Sequence, residues 1–169
     1  FPVSHRGSDS YGFVFEEFGR RPFLPEQAEA LGVPAGPLRR ALVNGEDVRL
    51  EDGTLVKADD VLGEYRPGTK LAVIGDVGDF KGLEEHVQGA DALVIEATYL
   101  EEELDMAKQY AHSTARLSAE FAARAGVRQM ILTHVSRRYR DKDILAEAQA
   151  VFPNTLLAHD FDEIQVKRD

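Results

Sequence analysis

The chain has 169 residues, 43% of them apolar and 30% charged, which is enough for one domain with a hydrophobic core. The formal net charge of -10 argues against generic nucleic-acid binding by bulk attraction, no apolar run approaches a membrane span, and the opening is no signal peptide. The absence of cysteine excludes disulfides and thiolate metal sites and fits a reducing compartment, so a cytoplasmic location is expected.

Phe1-Pro2-Val3-Ser4-His5 reads as an extended lead-in and, beginning without Met, as the end of a strand; upstream sequence is expected to be missing. A turn at Arg6-Gly7-Ser8-Asp9 precedes a strand over Tyr11 to Glu17, where aromatic and small residues alternate. From residue 18 to 67 glycine, proline and charge become frequent, with short helices expected near Glu26 to Leu31 and Leu38 to Val43. A hairpin follows, Val48-Arg49-Leu50 and Thr54-Leu55-Val56 around Glu51-Asp52-Gly53. Apolar residues are thin here, so residues 18–67 read as an arm outside the core, and residues 1–17 with 68–169 as the domain itself.

Regular α/β alternation begins at Lys70. Leu71 to Gly75 reads as a buried strand ending in Asp76, and Ala92 to Ile95 as a second, ending in Glu96. Between them lies a helical turn or two, Leu83 to Val87. A polar helix over Glu101 to Tyr110 is followed by a second helix that Ser113 or Thr114 can cap and Gly126 stops. Val127 to Thr133 is rich in apolar residues and reads as a third buried strand, leading into His134. Asp141 to Phe152 reads as a helix stopped by Pro153, and short strands are expected near Leu156 to Ala158 and Ile164 to Val166.

Three strands thus end in Asp76, Glu96 and His134, and His5 lies close to another. If the strands are parallel, these ends share one rim, where α/β folds build their sites. Two imidazoles and two carboxylates suit a divalent metal, zinc or manganese, in a hydrolytic site. His112 sits at the mouth of a helix, where free N–H groups favour a phosphate over an imidazolium. A carboxylate beside it, with Glu96 the candidate, restores the charged form and lets the pair protonate a leaving alkoxide. Arg138 can hold the scissile phosphate; its plain alternative is a surface salt bridge. His86 and His159 show no such neighbours and read as exposed.

Several motifs recur in one order: Tyr11-Gly12-Phe13, Gly36-Pro37, Gly75-Asp76, Glu96-Ala97-Thr98, His112-Ser113-Thr114, and Leu132-Thr133-His134-Val135-Ser136 with Arg138-Tyr139. The set, with the tail Ala150 to Thr155, resembles ribonuclease Z, the tRNA 3′-processing endonuclease, over nearly the whole chain. The resemblance implies an α/β fold, the C-terminal half of a metallo-β-lactamase αββα sandwich with a protruding arm. It also implies two zinc ions. His5 and His134 would each bind one, and Asp76 would bridge them. Glu96 and His112 resemble the proton-donating pair, and Arg138 the arginine that contacts phosphate. Gly36, Pro37, Arg39, Arg40, Arg49 and Lys57 fall on the arm that grips precursor tRNA. The family also implies a homodimer, without a membrane.

The chain departs from that pattern. The motif H-x-H-x-D-H of the N-terminal half is absent, Ile95 and Val77 replace the usual His and Thr, and one extra residue stands between His5 and Tyr11. The missing half is expected in the same protein or a separate chain. The chain alone should be inactive, and one apolar sheet face should lie uncovered. Two other readings stay open: a non-catalytic RNA-binding or dimerisation module, towards which Ile95 and Val77 lean, and a metal-dependent phosphodiesterase acting on a small diester.

Overall fold

Runs of apolar residues with period two give strands, and the apolar stripes between them give helices that cover those strands. The computed structural model describes residues 1–167. The strands are β1 (Pro2–His5), β2 (Ser8–Glu16), β3 (Val48–Arg49), β4 (Leu55–Val56), β5 (Lys70–Ile74), β6 (Ala92–Glu96), β7 (Met130–Thr133) and β8 (Thr155–Leu157). The helices are α1 (Pro25–Ala30), α2 (Pro37–Val43), α3 (Glu84–Val87), α4 (Leu104–Tyr110), α5 (Ala115–Ala125) and α6 (Asp141–Gln149).

The chain forms two compact units: residues 1–17 with 69–169, and residues 18–68. In the first, six strands make one sheet in the order β1-β2-β5-β6-β7-β8. β1, β2 and β5 pair antiparallel, while β5 to β8 run parallel through helical crossovers. The β1–β2 hairpin turns on Arg6 and Gly7, both at positive φ as a tight two-residue turn requires. β2 therefore starts three residues earlier than the aromatic alternation suggested.

The two faces of this sheet differ. Ala72, Ile74, Leu93, Ile95, Met130 and Leu132 point to the helix side and join Ala119, Phe121, Ala122 and Ile144 in one buried core. Phe121 is wholly buried and stacks on Phe80 at 4.7 Å between ring centroids. On the other face the register lines up Phe13, Val73, Val94, Ile131 and Leu156 across five strands. Tyr11, Phe13 and Phe15 are 55–59% exposed on this face, so its β2 end is open among the described residues, whereas Ile131 further along the row is buried.

α5 is the best-specified helix. Thr114 caps it by accepting from the Leu117 N–H at 3.1 Å, and Gly126 ends it in the left-handed region. The predicted helix over Glu101 to Tyr110 is instead a 3₁₀ turn at Glu101–Glu103 followed by α4. Ile164 to Val166 is not a strand. Its alternation is genuine, but an isolated three-residue run gains nothing without a partner edge; Val166 instead lies in a cleft beside Phe15 and Leu71.

The second unit has a core of its own. Ala28, Val33, Leu42, Val48, Val56, Ala58, Val61 and Leu62 converge, although they are spread thinly along the sequence. The hairpin β3–β4 and the helices α1 and α2 supply Val48, Val56, Ala28 and Leu42; a 3₁₀ turn at Ala58–Asp60 and the connecting segments supply the rest.

Candidate active site

Because β5, β6 and β7 are parallel and in register, their carboxyl ends share one edge. Asp76 follows β5, Glu96 closes β6 and His134 follows β7. β1 is antiparallel to β2 and β2 to β5, so β1 runs with β5, and His5, its last residue, meets the same rim. His112 arrives from the loop between α4 and α5. The rings of His5 and His112 are 4.9 Å apart and those of His112 and His134 5.3 Å.

Asp76 stands among the imidazoles. One carboxylate oxygen is 3.8 Å from His5 Nε2 and the other 3.5 Å from His134 Nε2. Ligand atoms of His5, Asp76 and His112 all lie within 4.8 Å of one another, a spacing that one cation can bridge. His112 thus stands beside the expected donors His5 and Asp76, with His134 on the other oxygen of Asp76. Nitrogen and carboxylate donors without thiolate fit zinc and also manganese.

Glu96 is the anchor of the rim. Its carboxylate is wholly buried and accepts the Val77 N–H at 2.6 Å, the Thr98 hydroxyl, and His112 Nδ1 at 3.0 Å. With Nδ1 engaged there, Nε2 is the nitrogen that His112 has left to offer. Ser118 Oγ donates to the Glu96 carbonyl at 2.7 Å and locks the backbone beneath. Ile95 and Val77 are both buried in the helix-side core, and Val77 meets Glu96 through its backbone N–H.

Backbone strain gathers at the same rim. Of the four non-glycine residues at positive φ among the described residues, three are His134 itself and the neighbours Arg6 and Ala111. Left-handed backbone costs an L-residue about 1–2 kcal/mol, and such strain concentrates at functional sites.

Arg138 lies further out. It donates to Glu103 Oε1 at 2.8 Å and sits over the Tyr99 ring at 5.8 Å, while that ring is 6.2 Å from His112. Tyr99 therefore spaces the guanidinium from the imidazoles. Thr98 was quoted from sequence only within the Glu96-Ala97-Thr98 motif, and Tyr99, Glu103 and Ala111 were given no role there. Thr98 had a signal, since a residue two past Glu96 points the same way along an extended chain. The others had none.

His159 does have acidic neighbours, contrary to expectation: Asp141 at 2.9 Å and Asp162 at 3.5 Å. The Asp141 hydrogen bond and charge, with a smaller share from Asp162, hold its imidazole above the ordinary value.

In the second unit, Gly36, Pro37 and Arg40 line an open cleft with Ala41, Asn44 and Glu46. Arg39 donates twice to the Val33 carbonyl, and Arg49 donates to the Gly53 carbonyl at 2.7 Å. Arg40 and Lys57 are exposed.

A sequence profile described as a beta-lactamase superfamily domain matches residues 44–135, more than half of the chain. The chain is 51% identical over 166 residues to the ribonuclease Z of Bradyrhizobium diazoefficiens, covering 98% of this chain and 55% of the relative. With the ribonuclease Z of Gemmatimonas aurantiaca the identity is 43% over 169 residues, covering 98% and 54%. The chain spans about half the length of the curated relatives it matches. Among solved structures, the short form of human tRNase Z is similar at 28% identity, over 68% of this chain and 37% of that one, with a TM-score of 0.48. No helix among the described residues is long and apolar enough to cross a membrane.

Proposed function

The chain belongs to the beta-lactamase superfamily, and on that premise we propose that it supplies the C-terminal half of a zinc-dependent endoribonuclease that removes the 3′ trailer of tRNA precursors. The carrying observation is the buried Glu96–His112 pair set on the same rim as His5, Asp76 and His134. The ribonuclease Z relatives support the RNA substrate.

The rim's donors fit a divalent ion. A lone pair on His5 Nε2 facing a carboxylate at 3.8 Å is unfavourable unless a cation or proton lies between them. His5, Asp76 and His134 would hold zinc, with the remaining ligands coming from the H-x-H-x-D-H motif of the other half; manganese suits the same donors. Bound zinc supplies an activated water and positive charge at the scissile phosphate. Glu96 holds His112 by Nδ1, and His112 delivers a proton from Nε2 to the leaving oxygen. Arg138 exchanges Glu103 for the phosphate. Gly36, Pro37, Arg39, Arg40, Arg49 and Lys57 belong to the arm that takes the body of the tRNA. The open apolar sheet face packs against the sheet of the N-terminal half, and the complete protein works as a cytoplasmic homodimer.

The test uses the complete protein with a tRNA precursor and a small chromogenic diester. His112→Ala should slow tRNA cleavage by about 10²-fold or more. Deleting residues 24–67 should abolish tRNA cleavage and spare the diester. An unchanged rate in His112→Ala would favour a non-catalytic module. Loss of both substrates on the deletion, or cleavage by the 169-residue chain alone, would also count against the reading.

A further inference from the structure

We propose that Gly78 and Ala111 form a clamp that decides which nitrogen of His5 carries its proton, making both of them positioning residues of the rim. His5 Nδ1 lies 2.8 Å from the Ala111 carbonyl oxygen. A carbonyl only accepts, so this contact places the hydrogen on Nδ1 and turns the Nε2 lone pair towards Asp76.

The carbonyl reaches His5 through an unusual backbone. Ala111 ends α4 at φ 53, a left-handed conformation that alanine adopts only when its surroundings hold it there. Gly78 is part of that surrounding. A Cβ on Gly78 would stand 2.8 Å from Ala111 Cβ and 3.0 Å from both its Cα and its carbonyl oxygen. Gly78 is not itself at positive φ, so its lack of a side chain serves the close approach and not its own conformation. The same glycine donates its N–H to the Ser4 carbonyl at 2.8 Å. One residue therefore ties together the positions that precede His5 and His112 and sets the 4.9 Å between their rings.

The metal arm of the test rests on the zinc reading above; the proton arm does not. The chain is labelled with ¹⁵N-histidine, and the ring nitrogens of its five histidines are read by long-range ¹H–¹⁵N correlation above the imidazole titration range, without metal. His5 should carry its proton on Nδ1. Gly78→Ala should move it to Nε2 or to an exchanging mixture, with the His159 signals unmoved as the sign of an intact fold. Zinc affinity of the complete protein, measured by titration with zinc alone, should fall about 10–100-fold. Ala111→Gly tolerates positive φ and should keep the wild-type pattern, whereas Ala111→Val, β-branched and ill suited to that backbone, should lose it. This second pair decides the matter if Gly78→Ala fails to fold. An Nε2–H tautomer in the wild type, or an Nδ1–H tautomer that survives both Gly78→Ala and Ala111→Val, would overturn the proposal. The expected tautomers with no zinc bound by the complete protein, both halves present, would sink the zinc reading and leave the clamp standing.

Discussion

Replacing Thr98 with valine tests how the buried acid of the rim is held. Glu96 takes three donors: the Val77 N–H at 2.6 Å, the Thr98 hydroxyl and His112 Nδ1 at 3.0 Å. Valine has nearly the shape of threonine, so Thr98→Val removes one donor without opening a cavity. A hydrogen bond to an ionised group contributes about 1.5–3 kcal/mol, and the added buried methyl offsets roughly 0.8 kcal/mol of that. The net loss should be about 1–2 kcal/mol, a 5–30-fold fall in the ratio of folded to unfolded chain. Urea unfolding should show a lower midpoint with an unchanged slope, since the exposed surface is the same. Thr98→Ser, which keeps the hydroxyl, should recover most of the loss. An unchanged midpoint in the valine variant would refute the reasoning, because Val77 and His112 alone would then suffice for the buried carboxylate.

Phe121→Ala empties the centre of the helix-side core and should cost about 3–5 kcal/mol by chemical denaturation; a loss below about 1 kcal/mol would mean that the core is not packed around it. His159 should titrate above the ordinary imidazole value, and Asp141→Asn should lower it; an NMR titration with the same midpoint in both proteins would contradict the pairing. The sign follows from a folded value above the unfolded one: the pair's stabilising effect is complete below the ordinary imidazole value and fades as pH rises through the raised one. Phe13→Lys interrupts the apolar row on the open sheet face and should reduce self-association in sedimentation velocity; an unchanged distribution would place the adhesive surface elsewhere.

The strands that carry the site were legible because their apolar runs stop where the chemistry begins. Leu71 to Ile74, Ala92 to Ile95 and Met130 to Leu132 are continuous because the helix side buries them and the other face is apolar as well, and Asp76, Glu96 and His134 stand at or just past their ends. The pairing of Glu96 with His112 was readable too, since the helix that leads back into the next parallel strand, α5, opens at the carboxyl edge where β6 ends. What sequence did not reveal depends on long-range closure. Ala111 and His5 are 106 residues apart, and Arg138 and Glu103 are 35 apart, with no periodicity to link them. The core of residues 18–68 was hidden for a related reason. Val33, Leu42, Val48 and Val61 come from scattered helix, strand and loop positions, so no single window looks apolar. Ile164 to Val166 shows the opposite error, a local pattern without the neighbour that would use it.

β2 and β5 pair antiparallel up to Glu16 and Lys70, and beyond them the Glu17 N–H still donates to the Thr69 carbonyl at 2.9 Å. The chain therefore departs for residues 18–68 and returns to almost the same point, as if a hairpin loop had grown to hold a small core of its own. Closing a longer loop adds little entropy cost, because that cost rises only with the logarithm of its length. The segment can lengthen, shorten or be exchanged for a brief turn while the strand register, and with it the position of every imidazole on the rim, is kept. Evolution can thus rework that segment while the rim keeps its geometry.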